Sequence, residues 1–312
     1  MHKEKTFGAL KIYWYKEPVK TTVRRKLAES IKSKSNRWFQ SNGPLEVIYG
    51  IQKSLSKESK KLNIINQCNW IVSANLTELI GDWNIDELRV PVLLGPNIEF
   101  ERYLPEIASL KYKYILVPAP WVSPVLQSRL NVSPEQIKIW ASGVDTNFWK
   151  RGKGKRKNVL IYRKNDHSDD LNTTLEFLKK ENIPYKVFEY GKYRQKAFKK
   201  YLNNSIGAIW LAGTESQGMA LLQAWSMDVP TLVRRKDTYF DQIGSVLYAA
   251  TSAPYLTPET GCFSETESLK IIDLENFFSS ISEFHPREYV MQNFTLDKKL
   301  QEVLSLLPEL SS

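Results

Sequence analysis

The sequence predicts an α/β protein of two successive halves, each a parallel sheet with crossover helices. Two observations carry this reading. Short β-rich apolar runs alternate with stretches of helical spacing along the whole chain, the pattern of repeated strand–helix–strand units. That alternation is interrupted by KRGKGKRK at 150–157 and then starts again. A chain of 312 residues has room for two domains at roughly 150 residues each. Its 42% apolar content is enough to fill two cores, which excludes a disordered chain.

In the first half the expected strands are GALKIYWY (8–15), LEVIYGI (45–51), NWIVSA (69–74), VPVLLGP (90–96), YKYILVP (112–118) and IKIWAS (137–142). VKTTVRRKLAESIKSK (19–34) reads as a helix, because Val23, Leu27 and Ile31 share one face. SPVLQSRLNV (123–132) reads as a second helix, with Ser123 as its cap and Pro124 at its first position.

The basic run at 150–157 holds six Lys and Arg in eight residues. It fits a solvated, self-repelling linker. It lacks the interleaved aromatics of a nucleic-acid surface, so it is read as the domain boundary. In the second half NVLIYRK (158–164), YKVFEYG (185–191), GAIWLAG (207–213) and VPTLV (229–233) are expected strands. DDLNTTLEFLKKENI (169–183), with Leu171, Leu175 and Leu178 on one face, and RQKAFKKYLNNS (194–205) are expected helices. The tail PREYVMQNFTLDKKLQEVLSLL (286–307) is helical with a break near Asn293. The expected units are therefore 1–149, the linker 150–157, 158–285, and a terminal segment 286–312, with a ligand cleft between the halves.

Composition narrows the function. The two cysteines, Cys68 and Cys262, are far apart and in no metal-ligand spacing, as expected in a reducing compartment. The N-terminal MHKEKTFGALKIYWYKEP lacks an apolar signal core, and no apolar run approaches ~20 residues. The chain reads as cytoplasmic. A net charge of +10 fits an anionic ligand, an anionic membrane face contacted peripherally, or a surface kept soluble by lysines. Nucleic acid is the poorest fit, with neither a stacking motif nor a recognition helix in view.

The chemistry concentrates in GTESQGMALLQAWSMDVPTLV (213–233). GAIWLAG ends a strand and SQGMALLQAWSM starts a helix, so Glu215 lies at the carboxyl edge of the sheet. A helix start offers unpaired N–H groups and the positive end of its dipole, which suit phosphate. Gly218 removes a side chain where a ligand could meet backbone. Glu215 and Gln223 are eight residues apart, roughly 12 Å along a helix axis, the span of a diphosphate flanked by two sugars. From spacing alone an ordinary capped helix with a solvated Glu215 is the better reading.

ESQGMALLQAWSMDVPTLV resembles the E-x7-E region of retaining GT-B glycosyltransferases of the family 4 type, where an acid precedes FGL, a helix with a second acid, and GxPV. ASGVDTNFWK (141–150), NVLIYRKND (158–166), VFEYGKY (187–193) and REYVMQNFTLDKKLQEVL (287–304) fall in that family's order as well. The resemblance runs from about residue 90 to the end and is faint before that. It implies two Rossmann-like domains facing a cleft, a nucleotide-sugar donor, and a saccharide or lipid-linked acceptor. It also implies transfer with retention, without metal or other cofactor.

By the same resemblance Glu215 contacts donor-sugar hydroxyls, and the amides from Ser216 through Gln217 and Gly218 to Met219 hold the diphosphate. Arg163 and Lys164 neutralise charge on the leaving group. Position 223 holds the ribose diol, and there this chain has glutamine in place of the second acid. Tyr190, Gly191, Lys192 and Tyr193 form a loop beside the nucleotide, the tyrosines lining it or packing beneath it. Asn97, in LLGPN, is the candidate acceptor contact, and VPAPW (117–121) ends a strand at the cleft side. His167 follows the basic pair, either near the site or on the surface. The departure at 223 leaves open a non-catalytic nucleotide-sugar or polyanion binding module on the same scaffold.

Overall fold

A computed structural model describes residues 2–7, 10–15, 43–58, 68–75, 92–99, 112–164 and 168–306. The expected helix at 19–34 and His167 lie outside the described residues. Strands β1 (His2–Phe7), β2 (Leu10–Tyr15), β3 (Cys68–Asn75), β4 (Val92–Glu99), β5 (Tyr112–Val117) and β6 (Ile137–Ile139) form one sheet in chain order. β1 and β2 pair antiparallel, and all later neighbours pair parallel.

The second sheet holds β7 (Asn158–Arg163), β8 (Tyr185–Glu189), β9 (Ser205–Leu211), β10 (Thr231–Val233) and β13 (Gly261–Phe263), all parallel, in the order β13-β10-β9-β7-β8. A hairpin of β11 (Thr238–Asp241) and β12 (Val246–Ala249) stands outside it. The α/β class with parallel sheets is thus the architecture of the chain.

Both faces of the second sheet are covered, which is why its strands read as unbroken apolar runs rather than alternating ones. Val159, Ile161, Ile209 and Leu211 pack with Phe177 and Leu178 of helix α3 (Ser168–Lys180) and with Leu274 and Phe277 of α6 (Ile271–Ser279). The intervening residues Leu160, Tyr162, Ala208 and Trp210 face the other way. There they meet Phe198 and Leu202 of α4 (Gln195–Leu202) and Leu221 and Trp225 of α5 (Met219–Ser226). Tyr162 stacks on Trp210, their centroids 4.1 Å apart. The sequence reading named no element between 234 and 285, where the hairpin, β13 and α6 lie.

Three local expectations need correction. LEVIYGI is not a strand: it lies in helix α1 (Gly43–Glu58). Its β-prone residues gave the strand reading, but Val47, Ile48, Ile51 and Leu55 form one buried stripe at helical spacing, and Pro44 stands in the first turn. Helix α2 (Val122–Leu130) starts one residue before Ser123, with Trp121 at the cap position and no side-chain cap. Pro124 is therefore third in the helix, where its missing N–H is still one of the four without an internal partner. The basic run is not wholly solvated either. Arg156 is largely buried and donates to the carbonyls of Met227 and Asp228.

The chain returns to the first half through α7 (Pro286–Asn293) and α8 (Leu296–Leu304). Thr295 caps α8 by accepting from the Lys298 amide at 3.3 Å. Trp140 Nε1 donates to the Lys299 carbonyl at 2.8 Å, and the Val144 amide donates to Phe294 O at 2.8 Å. No helix among the described residues is long and apolar enough to cross a membrane.

Candidate active site at the second sheet

In an open parallel sheet a ligand crevice forms where neighbouring strands send their connections to opposite sides. Counting from β7, the second sheet has the order 2-1-3-4-5, and its reversal falls between β7 and β9. The described strands of the first sheet follow chain order and have no such point. Lys164 directly follows β7, and Glu215 lies four residues beyond β9. Both residues therefore leave the carboxyl ends of the two strands that flank the reversal.

The structure brings them into contact: Lys164 Nζ lies 2.6 Å from Glu215 Oε1. Tyr190 adds its ring, 5.0 Å from the same ammonium, and is 42% exposed. The backbone on either side is fixed. The Lys164 amide donates to Leu211 O at 2.9 Å, the Glu215 amide to Thr251 O at 2.9 Å, and the Tyr190 amide to Arg163 O at 2.8 Å. Arg163 thereby anchors the loop that carries Gly191, Lys192 and Tyr193.

That loop divides its residues. Gly191 turns it with φ +73°, a left-handed conformation open to glycine. Lys192 turns away to Glu189 at 2.6 Å, on the surface. Tyr193 packs inward against Tyr162, Phe188 and Phe198. Burial pushes the Tyr162 and Tyr193 hydroxyls well above the ordinary tyrosine range, so both stay protonated and neither serves as a base.

Helix α5 starts at Met219, later than the sequence implied, with Gly218 as its N-cap at φ +57°. Ser216 and Gln217 therefore belong to the connection, and the ~12 Å separation drawn for a continuous helix does not carry over. The helix is apolar nearly all round and buried at every position but Ala220, as such a helix must be. Gln217 is buried with no hydrogen-bond partner for either amide atom. Buried polar groups left in this state cost about 1–3 kcal/mol each.

Gln223 is 1% exposed. Its Nε2 lies 3.4 Å from Glu46 Oε2 in the first turn of α1, while its Oε1 is buried without a partner. At the far end of α5, Arg287 donates to the carbonyls of Ser226 and Trp149, beside Arg156 on the next two carbonyls. Two guanidiniums thus satisfy the negative end of the helix dipole.

The first half touches the corner directly. Trp121 Nε1 donates to Glu215 O at 3.1 Å, and the Tyr255 hydroxyl donates to Pro118 O. Asn97 lies on β4 opposite Ser73; its side chain is outside the described residues. Sequence reasoning missed Glu46, because its segment read as a strand, and Thr251, which belongs to no motif. Trp121 lay within VPAPW, but nothing in that run pointed to Glu215.

No family model matches the chain, and no curated protein matches it. Among solved structures it is similar to a glycosyltransferase from Rickettsia africae at 13% identity and TM-score 0.49, over 94% of this chain and 88% of that one. It is similar to accessory secretory protein of Streptococcus pneumoniae at 12% identity and TM-score 0.48, over 84% and 58% of the two chains. Sucrose-phosphate synthase of Thermosynechococcus elongatus gives 9% identity and TM-score 0.47, over 91% and 76%. With every one of these TM-scores below 0.5, the likeness stands beside the crevice geometry and decides nothing about it.

Proposed function

We propose that the protein is a retaining glycosyltransferase of GT-B type that moves a sugar from a nucleotide-diphosphate donor to a hydroxyl acceptor without a metal. The observation that carries this reading is the Lys164–Glu215 pair at the strand reversal of the second sheet. A cation and an acid meet there beside a left-handed glycine and a helix start, so one corner holds groups for a phosphate and for sugar hydroxyls.

Each residue has a definite task in this reading. Lys164, Arg163 and the amides from Ser216 to Met219 supply the positive field in which the diphosphate leaves. Fixed donors of this kind are worth about 10²–10³ in rate. Glu215 accepts hydrogen bonds from the sugar hydroxyls and so fixes the sugar's orientation once Lys164 has turned to the phosphate. The departing phosphate takes the acceptor proton, so positioning and electrostatics do the catalytic task with no nucleophile from the protein.

A thermal-shift screen over nucleoside diphosphates and nucleotide sugars tests the donor, because a ligand of the folded state raises Tm by mass action. A hit is expected, with transfer to a saccharide acceptor lost in Glu215→Ala at unchanged Tm. Turnover unaffected by Glu215→Ala, or a flat screen, ends the proposal.

A further inference from the structure

Glu46 and Gln223 form a carboxylate–carboxamide pair that joins α1 of the first half to α5 of the second. The Gln223 amide nitrogen faces Glu46 Oε2 at 3.4 Å, and its carbonyl oxygen is buried without a partner. A buried, unspent acceptor beside a carboxylate is an arrangement that receives two O–H donors on adjacent atoms. Burial chiefly keeps the Tyr193 hydroxyl protonated in the loop after β8, and the Glu46 charge adds to that in the same direction. The acid therefore projects toward the second sheet from outside it.

An acid at 223 would set two carboxylates against each other; glutamine turns the contact into a donor–acceptor one. We propose that Glu46, supplied by the first half, is the diol-binding carboxylate of the nucleotide site. Gln223 orients it and accepts the second hydroxyl of the ribose through Oε1. This rests on the nucleotide-sugar reading above and adds its specificity element: the acid is contributed across the seam between the halves, so a bound ribose draws α1 and α5 together.

The test compares UDP, GDP and ADP with their 2′-deoxy counterparts by calorimetry, using the full-length protein. Wild type should bind the best ribonucleotide at least about tenfold tighter than its deoxy form, the size of one hydrogen bond to a charged group. Glu46→Gln should erase that preference while leaving the ligand-free Tm and deoxy binding nearly unchanged. Gln223→Glu alone should weaken ribonucleotide binding. The reciprocal swap Glu46→Gln/Gln223→Glu restores one acid and one amide and should recover the preference. Equal binding of ribo and deoxy forms, or a preference that survives Glu46→Gln, overturns this inference and leaves the nucleotide site standing. If no diphosphate binds at all, the site reading falls and this falls with it.

Discussion

Two ion pairs lie close to the seam between the halves, and they are finished in opposite ways. Arg129 of α2 grips Asp241 of the hairpin through two nitrogens, Nε to Oδ2 at 2.9 Å and Nη2 to Oδ1, and Asp241 is 1% exposed. The Ile243 amide adds a third donor at 3.1 Å, and Trp121 rests on Tyr239 beside it, centroids 5.4 Å apart. Lys164 meets Glu215 through a single short contact, with the two side chains 25% and 15% exposed. A forked, saturated pair in a dry setting has no capacity for another ligand. A single-contact pair next to an exposed tyrosine can exchange partners. On the proposed function the first pair belongs to stability and the second to chemistry, and stability measurements can break or sharpen that division.

The largest loss of stability is expected from Arg129→Met, which leaves a buried carboxylate alone and should cost about 3–5 kcal/mol in urea unfolding. The pair also fixes a pH response. Arg129 holds the Asp241 carboxyl below the usual aspartate range. A depressed folded pKa contributes stability that is fully present above the unfolded value, about 3.9. It is lost as pH falls through the folded value. Wild type should accordingly lose stability on acidification below roughly pH 4, and that part of the loss should be absent in Arg129→Met. A variant within experimental error of wild type would show that the hairpin is held by its aromatic contact alone.

Next in size is Arg287→Met, which strips a guanidinium from the carbonyls of Ser226 and Trp149 at the closed end of α5. Loss of hydrogen bonds from a charged donor predicts about 1–3 kcal/mol. Donor affinity measured on the folded protein should not change, since this end of the helix faces neither Glu215 nor the loop after β8. A drop in affinity without a drop in stability would move the functional boundary to include it.

The second sheet was largely legible in the sequence, and the physical reason is its double burial. Strands such as Asn158–Arg163 and Ser205–Leu211 have apolar interiors on both faces, so their runs stand out whichever way the pattern is read. Glu215 was named because it follows such a run, and Lys164 and Tyr190 came from the resemblance, which put both at the ends of such runs. The α1 segment failed because Leu45 to Ile51 is rich in β-branched and aromatic residues, and local preference outweighed a stripe that continues to Leu55. The partner of Gln223 could not be found for the same reason: a contact across 177 positions depends on how the halves pack. The hairpin went unseen because its strands are four residues each and half exposed, too short to show a period.

The smallest effect on stability, and the most telling, is expected from Lys164→Met. Removing one partner of this part-buried, single-contact pair should change unfolding free energy by only about 1 kcal/mol, because both charges keep some contact with water. If the proposed function holds, the same substitution removes a fixed cation from beside the leaving diphosphate, which predicts a fall of about 10²–10³ in turnover. The two readouts must therefore separate: a shallow change in urea midpoint with a deep change in rate. Lys164→Arg keeps the charge but widens and flattens the head group, so it should retain stability and recover only part of the rate. If Lys164→Met instead unfolds the protein as readily as Arg129→Met, the two pairs have the same duty, and the corner at the strand reversal is a brace rather than a site.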